Sequence, residues 1–583
     1  MRIKIQFILP ILLIAGQLSA QKKDENIGTE VVNVVKPYTP TISDAFKVKE
    51  NPPLEDEDNT KKETINYSIF SFPVASTFVP SKGKAANVDK EQKQRLYSNY
   101  VTGGVGSFLN LLGELYVTQE ISDTDYAAGM FKHFSSLSDI KESKLDSKFS
   151  NTALDLTYGS RKSKYSWNAD LGYQLQRQYW YGLPDEFGQA LTPTEINQAI
   201  SHIDQLQTYH NFSLGGKIKF KESIFNGMNL NYNRFWDAYK SAENRLILQP
   251  TLNFDMLNKH VTTEFTVDHL SGSFDKEYSG AAGYQYSFTN LGVYPSFGMK
   301  KDDWSFSIGA ALVYGIDSEH SNSELFFYPR ANATLKIVDQ YMMFYTGIDG
   351  GLEQNSYRSL TNENLYVSPT LTIAPTDRQY EVYAGLKGKL ASNISYNVKG
   401  ALLNEKNKPL FVANDFHDIP VNKEMYQYGN SFGITYDLVR TLRLFGELRA
   451  DFTKNISAGV SGTFNQYTMD YEAEPWNLPQ IELAANLDVN ITPKWYAGAK
   501  VFFVGDRKDR QANLDIISLV PIDYTKTVKA YFDANAHVGY KYSDRLTGFL
   551  RLNNIGNQAY EKWLNYPVQS FQILLGVNYK FDF

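Results

Sequence analysis

The stretch Phe571–Phe583 reads FQILLGVNYKFDF, and its odd positions decide the fold. Phe571, Ile573, Leu575, Val577, Tyr579, Phe581 and Phe583 are all apolar or aromatic. The even positions carry Gln572, Asn578, Lys580 and Asp582, with Gly576, and only Leu574 breaks the pattern. A period of two gives a β-strand one greasy face and one wet face. A water-soluble sheet rarely closes on such a strand. A transmembrane barrel does, with its aromatics toward lipid and in the interfacial girdle.

Working outward, the same alternation recurs from about Arg95 onward. Ile481, Leu483, Ala485, Leu487, Val489 and Ile491 alternate with Glu482, Asn486, Asp488 and Asn490. Leu442, Leu444, Leu448, Ala450 and Phe452 alternate with Arg443, Glu447, Arg449 and Asp451. Phe532, Ala534, Ala536, Val538, Tyr540 and Tyr542 alternate with Asp533, Asn535, His537, Gly539 and Lys541.

The connections alternate as well. Tight polar turns are expected at Ser122–Asp125, Arg161–Lys164, Ser392-Asn393, Lys454-Asn455, Thr492–Lys494 and Ser543–Arg545. Longer links fall at Leu183–Leu206, Glu353–Arg378, Asn404–Tyr426, Tyr467–Asn477 and Gly505–Thr527. Short turns on one rim and long loops on the other describe an outer-membrane barrel, the short turns being periplasmic. Such barrels need an even strand number. Parity is kept when Tyr428–Leu438 is assigned to a long loop excursion, which leaves about 22 strands, the size of outer-membrane transporters rather than porins.

The bulk composition agrees. The chain has 583 residues, 14% of them aromatic, including 40 Tyr and 36 Phe, yet its mean hydropathy is only -0.38. That combination suits strands with one wetted face. No apolar run of about 20 residues follows the N-terminus, which excludes a helical membrane protein. A net charge of -6 without a basic cluster excludes nucleic acid as a partner. With no cysteine there are no disulfides, thiolate metal sites, thiol chemistry or lipoprotein acylation.

Residues 1–20 read as a secretory signal, with Arg2 and Lys4, an apolar run Phe7–Gly16 and a small-residue site ending at Ala20. The Ala20-Gln21 junction resembles those common in Bacteroidota. Residues 21–94 are a different material, expected to be an extended periplasmic segment. Lys47–Lys62 holds Pro52-Pro53 and the acidic run Glu55–Asp58, as a flexible linker does. Two β-prone, proline-broken islands flank it. In the first, Thr29, Glu30, Val31, Val32, Val34, Val35, Pro37, Tyr38 and Phe46 form a candidate partner-binding segment. In the second, Tyr67, Ile69, Phe70, Phe72 and Phe78 form a candidate lumen-occluding segment. Residues 95–583 make the barrel.

From about Leu442 the chain resembles the barrel of TonB-dependent receptors. The residues that carry the likeness are Phe532–Tyr542 (FDANAHVGYKY), Leu552–Tyr560 (LNNIGNQAY) with its asparagine-rich turn, and the closing GVNYKFDF. The resemblance implies an outer-membrane location in a Gram-negative cell and transport. It also implies insertion by the barrel assembly machinery on a C-terminal signal of Tyr579, Phe581 and Phe583, and TonB as a partner. Thr29–Val35 looks like the segment such receptors offer to TonB. The sequence departs from the family at the plug, because residues 21–94 are too short and too proline-broken to build one. An open lumen of this size would breach the membrane, so the N-terminal segment, the long loops or another polypeptide must close it.

No catalytic constellation, cofactor motif or metal site is expected. HExxH, GxSxG and a phosphate loop are absent, and Gly103-Gly104-Val105-Gly106 falls inside a strand. For Asn414–Asp418 a loop-bracing role outweighs calcium binding, for want of the right spacing. His537 faces the lumen beside no nucleophile. Asp506–Gln511 (DRKDRQ) reads as an exposed loop. The inward charges, among them Arg443, Glu447, Glu482, Asp533 and Lys580, carry both signs and read as a hydrated wall. Two functions stay open: a transporter or channel, or a non-transporting barrel in a complex with other outer-membrane proteins or lipoproteins.

Overall fold

The computed structural model describes residues 97–583, apart from 142, 186, 188–191, 204, 257–258, 279–281, 416–423 and 515–520. The two N-terminal islands, from Thr29 to Phe46 and from Tyr67 to Phe78, lie outside the described residues. The chain opens with β1 (Asn99–Gly106), β2 (Asn110–Glu120), β3 (Asp125–Ser136), β4 (Phe149–Arg161) and β5 (Tyr165–Tyr179). After helix α1 (Pro193–Ser201) come β6 (Leu206–Phe220), β7 (Phe225–Asp237), β8 (Ala242–Met256), β9 (Lys259–Phe274) and β10 (Tyr284–Lys301). Next are β11 (Trp304–Asp317), β12 (Asn322–Val338), β13 (Met342–Glu353), helix α2 (Tyr357–Glu363), β14 (Thr376–Ala391) and β15 (Ile394–Ala413). They are followed by β16 (Phe432–Thr453), β17 (Ile456–Met469), β18 (Ile481–Asn490), β19 (Trp495–Val504), β20 (Arg507–Leu514) and β21 (Pro521–Val528). The chain closes with β22 (Tyr531–Lys541), β23 (Leu546–Asn553), β24 (Glu561–Trp563), β25 (Tyr566–Pro567) and β26 (Gln572–Phe581).

Twenty-two of these strands form one sheet, and two short hairpins, β20–β21 and β24–β25, stand apart from it. The sheet closes where β26 pairs antiparallel with β1, from Asn99 opposite Phe581 to Gly106 opposite Leu574. The count of about 22 is met, and closure leaves no unpaired edge. Pairing keeps the alternation in register. Leu575 faces Val105 across the seam, and both are exposed on the outer wall, whereas Thr102 and Asn110 are buried on the other face.

The wall is uneven in height. Strands near the seam are short, 8 residues in β1 and in β23. On the far side β15 has 20 residues and β16 has 22. A membrane strand needs only about ten residues, so the tall side projects well beyond the bilayer. Two parts of that projection fall where the sequence predicts loops. Residues 404–413 belong to β15, and Phe432–Leu438 to β16, joined by pairs such as Phe411 with Ile434. The alternation of polarity fails there because both faces are covered. Phe411 packs in one apolar cluster while Leu410 and Val412 pack with Trp476 in another.

Candidate functional site

The long connections do not hang free. Most of their described residues fold over the barrel mouth around one large apolar core, while the connection that holds Trp476 packs in a second cluster. Tyr209 on β6 and Phe432 on β16 belong to the large core, although they stand ten places apart in a ring of 22. Side chains from nearly opposite walls can share a core only across the lumen. The loops therefore make a cap.

Two short helices are set by their own sequence. Thr192 caps α1 in a reciprocal box with Glu195, and Pro193 opens it. Ile196, Ala199 and Ile200 of α1 pack against the core. Ser356 caps α2 in a box with Ser359. The first residue of α2, Tyr357, is fully buried. Its ring meets Tyr209 at 6.2 Å, Phe235 at 5.2 Å and Phe274 at 4.9 Å, each edge to face.

The start of α2 is anchored on the wall by two buried carboxylates. Glu243 accepts from the backbone N of Tyr357 at 2.6 Å, from that of Arg358 at 3.3 Å and from Tyr286 Oη at 2.8 Å. Asp237 accepts from Tyr357 Oη at 2.8 Å. Both sit at the long-loop ends of β7 and β8, above the membrane-spanning part. Burial raises both carboxyls above their ordinary range, and the bonds from Tyr286 and Tyr357 oppose that rise.

A second hub ties four connections together. Tyr566 stacks on Tyr366 at 3.7 Å and meets Tyr181 edge-on at 4.8 Å. Its hydroxyl donates to the carbonyl of Asn430 at 2.5 Å, and Asn430 Nδ2 donates to that of Trp180 at 2.9 Å. Tyr181 Oη donates to Pro567 O at 2.9 Å. Gly182 is required here, because a Cβ on it would lie 2.3 Å from the Tyr566 ring.

The β20–β21 hairpin completes the cap, and the expectation of an exposed loop at Asp506–Gln511 is corrected. Arg507, Asp509 and Gln511 are all buried, because the hairpin alternates and turns those residues toward the tall wall. Asp509 Oδ1 accepts from the backbone N of Ala413 at 3.0 Å. Arg507 donates to the carbonyls of Lys562 and Glu561 at 2.6 and 3.0 Å. Burial pushes the Asp509 carboxyl up to about 7.

Below the cap the inner wall carries paired charges of both signs. Arg245 holds Asp268 through two bonds of 2.9 and 2.6 Å. Arg330 meets Asp349 at 2.6 Å, and Lys399 meets Glu381 at 2.7 Å. His537 occupies the space left by Gly498 on β19, where a Cβ would lie 2.3 Å from its ring. Asn414 donates to Ser431 Oγ at 2.7 Å, and Tyr278 Oη to the Asp415 carbonyl at 3.0 Å, which is bracing; Phe416, His417 and Asp418 lie outside the described residues. Tyr579 and Phe581 stack at 6.2 Å on β26, and Phe583 beyond them is 83% exposed. Sequence reading missed Glu243, Tyr357, Asn430 and Tyr566. The signal was aromatic density, with Trp180, Tyr181, Tyr357, Tyr366, Trp563 and Tyr566 all in connections that a solvated loop would leave polar.

Among solved structures, the chain is similar to the ferric-catecholate import receptor Fiu from E. coli K12. The TM-score is 0.60 at 12% identity, over 84% of this chain and 82% of that one. The barrel shares its fold with that receptor. It is similar in the same measure to the FrpB iron transporter (F3-3 variant) from Neisseria meningitidis, with TM-score 0.60, 11% identity, and 84% and 82% covered. The pyoverdine outer-membrane receptor FpvA from Pseudomonas aeruginosa PAO1 matches with TM-score 0.60 at 10% identity, over 84% of this chain and 79% of that one. At such identities the likeness is one of fold. No family model and no curated protein matches.

Proposed function

We propose that this chain is an outer-membrane transport barrel of TonB-dependent-receptor type, whose own loops shut the outer mouth. The observation that carries this is the core joining Tyr209 to Phe432 across a ring of 22 strands. A lumen of that size needs closure, and the cap supplies it at one end. The paired charges of the inner wall suit a hydrated path. The fold shared with receptors described as importing iron complexes supports transport as a class of function, without naming a solute.

In this reading the short-turn rim faces the periplasm, and the segment from Thr29 to Phe46 engages TonB or another partner there. Tyr579, Phe581 and Phe583 are the signal read by the barrel assembly machinery. The test is solute flux into liposomes containing the full-length chain or a variant lacking residues 561–567, which hold the β24–β25 hairpin. The intact chain is expected to pass little, and the deletion to pass small sugars freely.

One observation favours a second reading. The cap has a tight apolar core, with Tyr357 and Val367 fully buried, which suits a barrel that stays shut as a subunit of an outer-membrane complex. Absence of flux in both forms, with stoichiometric partners recovered from native membrane in mild detergent, would establish that reading instead.

A further inference from the structure

Between α2 and the inner face of β7 and β8 lies a cavity of about 200 Å3. Asn231, Asn233, Glu243, Arg245, Ser356 and Arg358 form its wall, together with Asn362. Asn233 stands opposite Arg245 and Asn231 opposite Ile247 in the ladder, so the strand residues share one inward face.

The hydrogen bonds around this cavity are unevenly spent. The acceptors on its strand wall are engaged. Both Glu243 oxygens take bonds from Tyr286, Tyr357 and Arg358. Both oxygens of the adjoining Asp268 are held by Arg245. Asn231 Oδ1 accepts from Asn233 Nδ2, and Asn233 Oδ1 accepts from Arg358 Nη1 at 3.0 Å. The donors are different. A guanidinium has five N–H groups, and that single bond to Asn233 is the only one the Arg358 side chain makes among the described residues. Ser356 Oγ accepts from Ser359 N at 3.0 Å, which leaves its hydroxyl hydrogen to give. The Asn362 amide lacks a partner among the described residues.

Spare N–H and O–H donors therefore face a space whose strand-borne acceptors are used, and the Arg358 guanidinium shares that space with the Glu243 carboxylate. A group rich in acceptors completes such a site, and the planar fork of a guanidinium matches the paired oxygens of a carboxylate or phosphate. The space is several times one water's share of liquid volume, about 30 Å3, which is room for a small polar group.

We propose that this cavity is an oxyanion site, in which Arg358, with Ser356 and Asn362, binds a carboxylate or phosphate group of a small solute beneath the cap. The assignment rests on the transport proposal for the solute's presence there, and it adds the solute's chemistry.

Equilibrium dialysis of the full-length protein in detergent, with labelled inorganic phosphate and labelled citrate, tests it, with glycerol as the neutral control. One saturable site is expected for at least one oxyanion and none for glycerol. Arg358→Gln is expected to weaken binding roughly tenfold or more. Arg358→Lys, which keeps the charge without the fork, should fall between, and heat-modifiable mobility on a gel reports that each variant is folded. Phosphate alone binding assigns a phosphate source, and citrate alone a carboxylate. No saturable binding of either probe, or an affinity unchanged in Arg358→Gln, overturns the site. Anion binding without flux in the cap-deleted liposomes would sink the transport proposal and keep the site. Flux without anion binding would do the reverse.

Discussion

Glu243 shows how much one buried side chain decides. Its carboxylate serves three donors that have nowhere else to turn. In Glu243→Ala the Tyr286 hydroxyl and the Tyr357 backbone N are left unpaired in an apolar setting, at a cost of about 1–3 kcal/mol for each group. The cap over α2 is expected to loosen while the barrel stays closed. Limited proteolysis should then cut within residues 354–375 of a protein that still migrates as a folded barrel. Loss of the barrel itself would refute this division. Asp509 gives a pH dependence with a definite sign. Burial raises its carboxyl from an ordinary 3.8 to about 7. Below 3.8 both the docked and the detached hairpin hold the proton. Between 3.8 and 7 only the detached form ionises, so docking weakens as pH rises through that window and levels off above it. Burial raises Asp237 and Glu243 in the same direction, so the seating of α2 on the wall weakens with rising pH in the same sense. Protease sensitivity of residues 505–530 is expected to grow from pH 5 to pH 8, and Asp509→Asn should flatten that growth.

At the scale of elements, the β24–β25 hairpin acts through Tyr566. The ring is buried against Tyr366 and Tyr181 and pinned to Asn430. Truncating a buried aromatic costs about 3–5 kcal/mol, and here the loss falls on contacts between four connections. Tyr566→Ala should open the cap, read as raised conductance in planar bilayers, and Gly182→Val should do the same by displacing the ring. A conductance equal to the parent's in both variants would show that the hairpin is not what holds the mouth shut. The strands themselves were legible in the sequence because half of each membrane strand meets lipid and half meets water, as along Phe571–Phe583. Legibility ended where a third environment began. Residues 410–413 and Phe432–Leu438 are strand but carry no alternation, since the cap and the neighbouring connections cover both faces. Charge misled in the same region. Arg507 and Asp509 look solvated in DRKDRQ, yet they are buried because backbone partners from distant connections meet them. No local pattern encodes a bond between residues 96 positions apart.

For the whole molecule, a single closed sheet with one capped mouth makes barrel stability and mouth closure separable. The 22-strand ring closes through β1 and β26 without help from the cap, so removing residues 357–363 should leave the barrel's resistance to detergent and heat nearly intact while raising its conductance. Collapse of the barrel on that deletion would show that the two are one cooperative unit. The uneven wall has a consequence for the membrane. Eight residues at about 3.3 Å each, tilted by about 40°, reach only about 20 Å, short of an apolar band of about 25 Å. At β1 and β23 the surrounding bilayer must thin to meet the protein, while at β15 and β16 it need not. The protein thus imposes a dimple on one flank of its lipid surroundings, and barrels with a matching short flank are drawn to share it. Two copies, or two different barrels, would then meet thin side to thin side through an elastic attraction carried by the lipid.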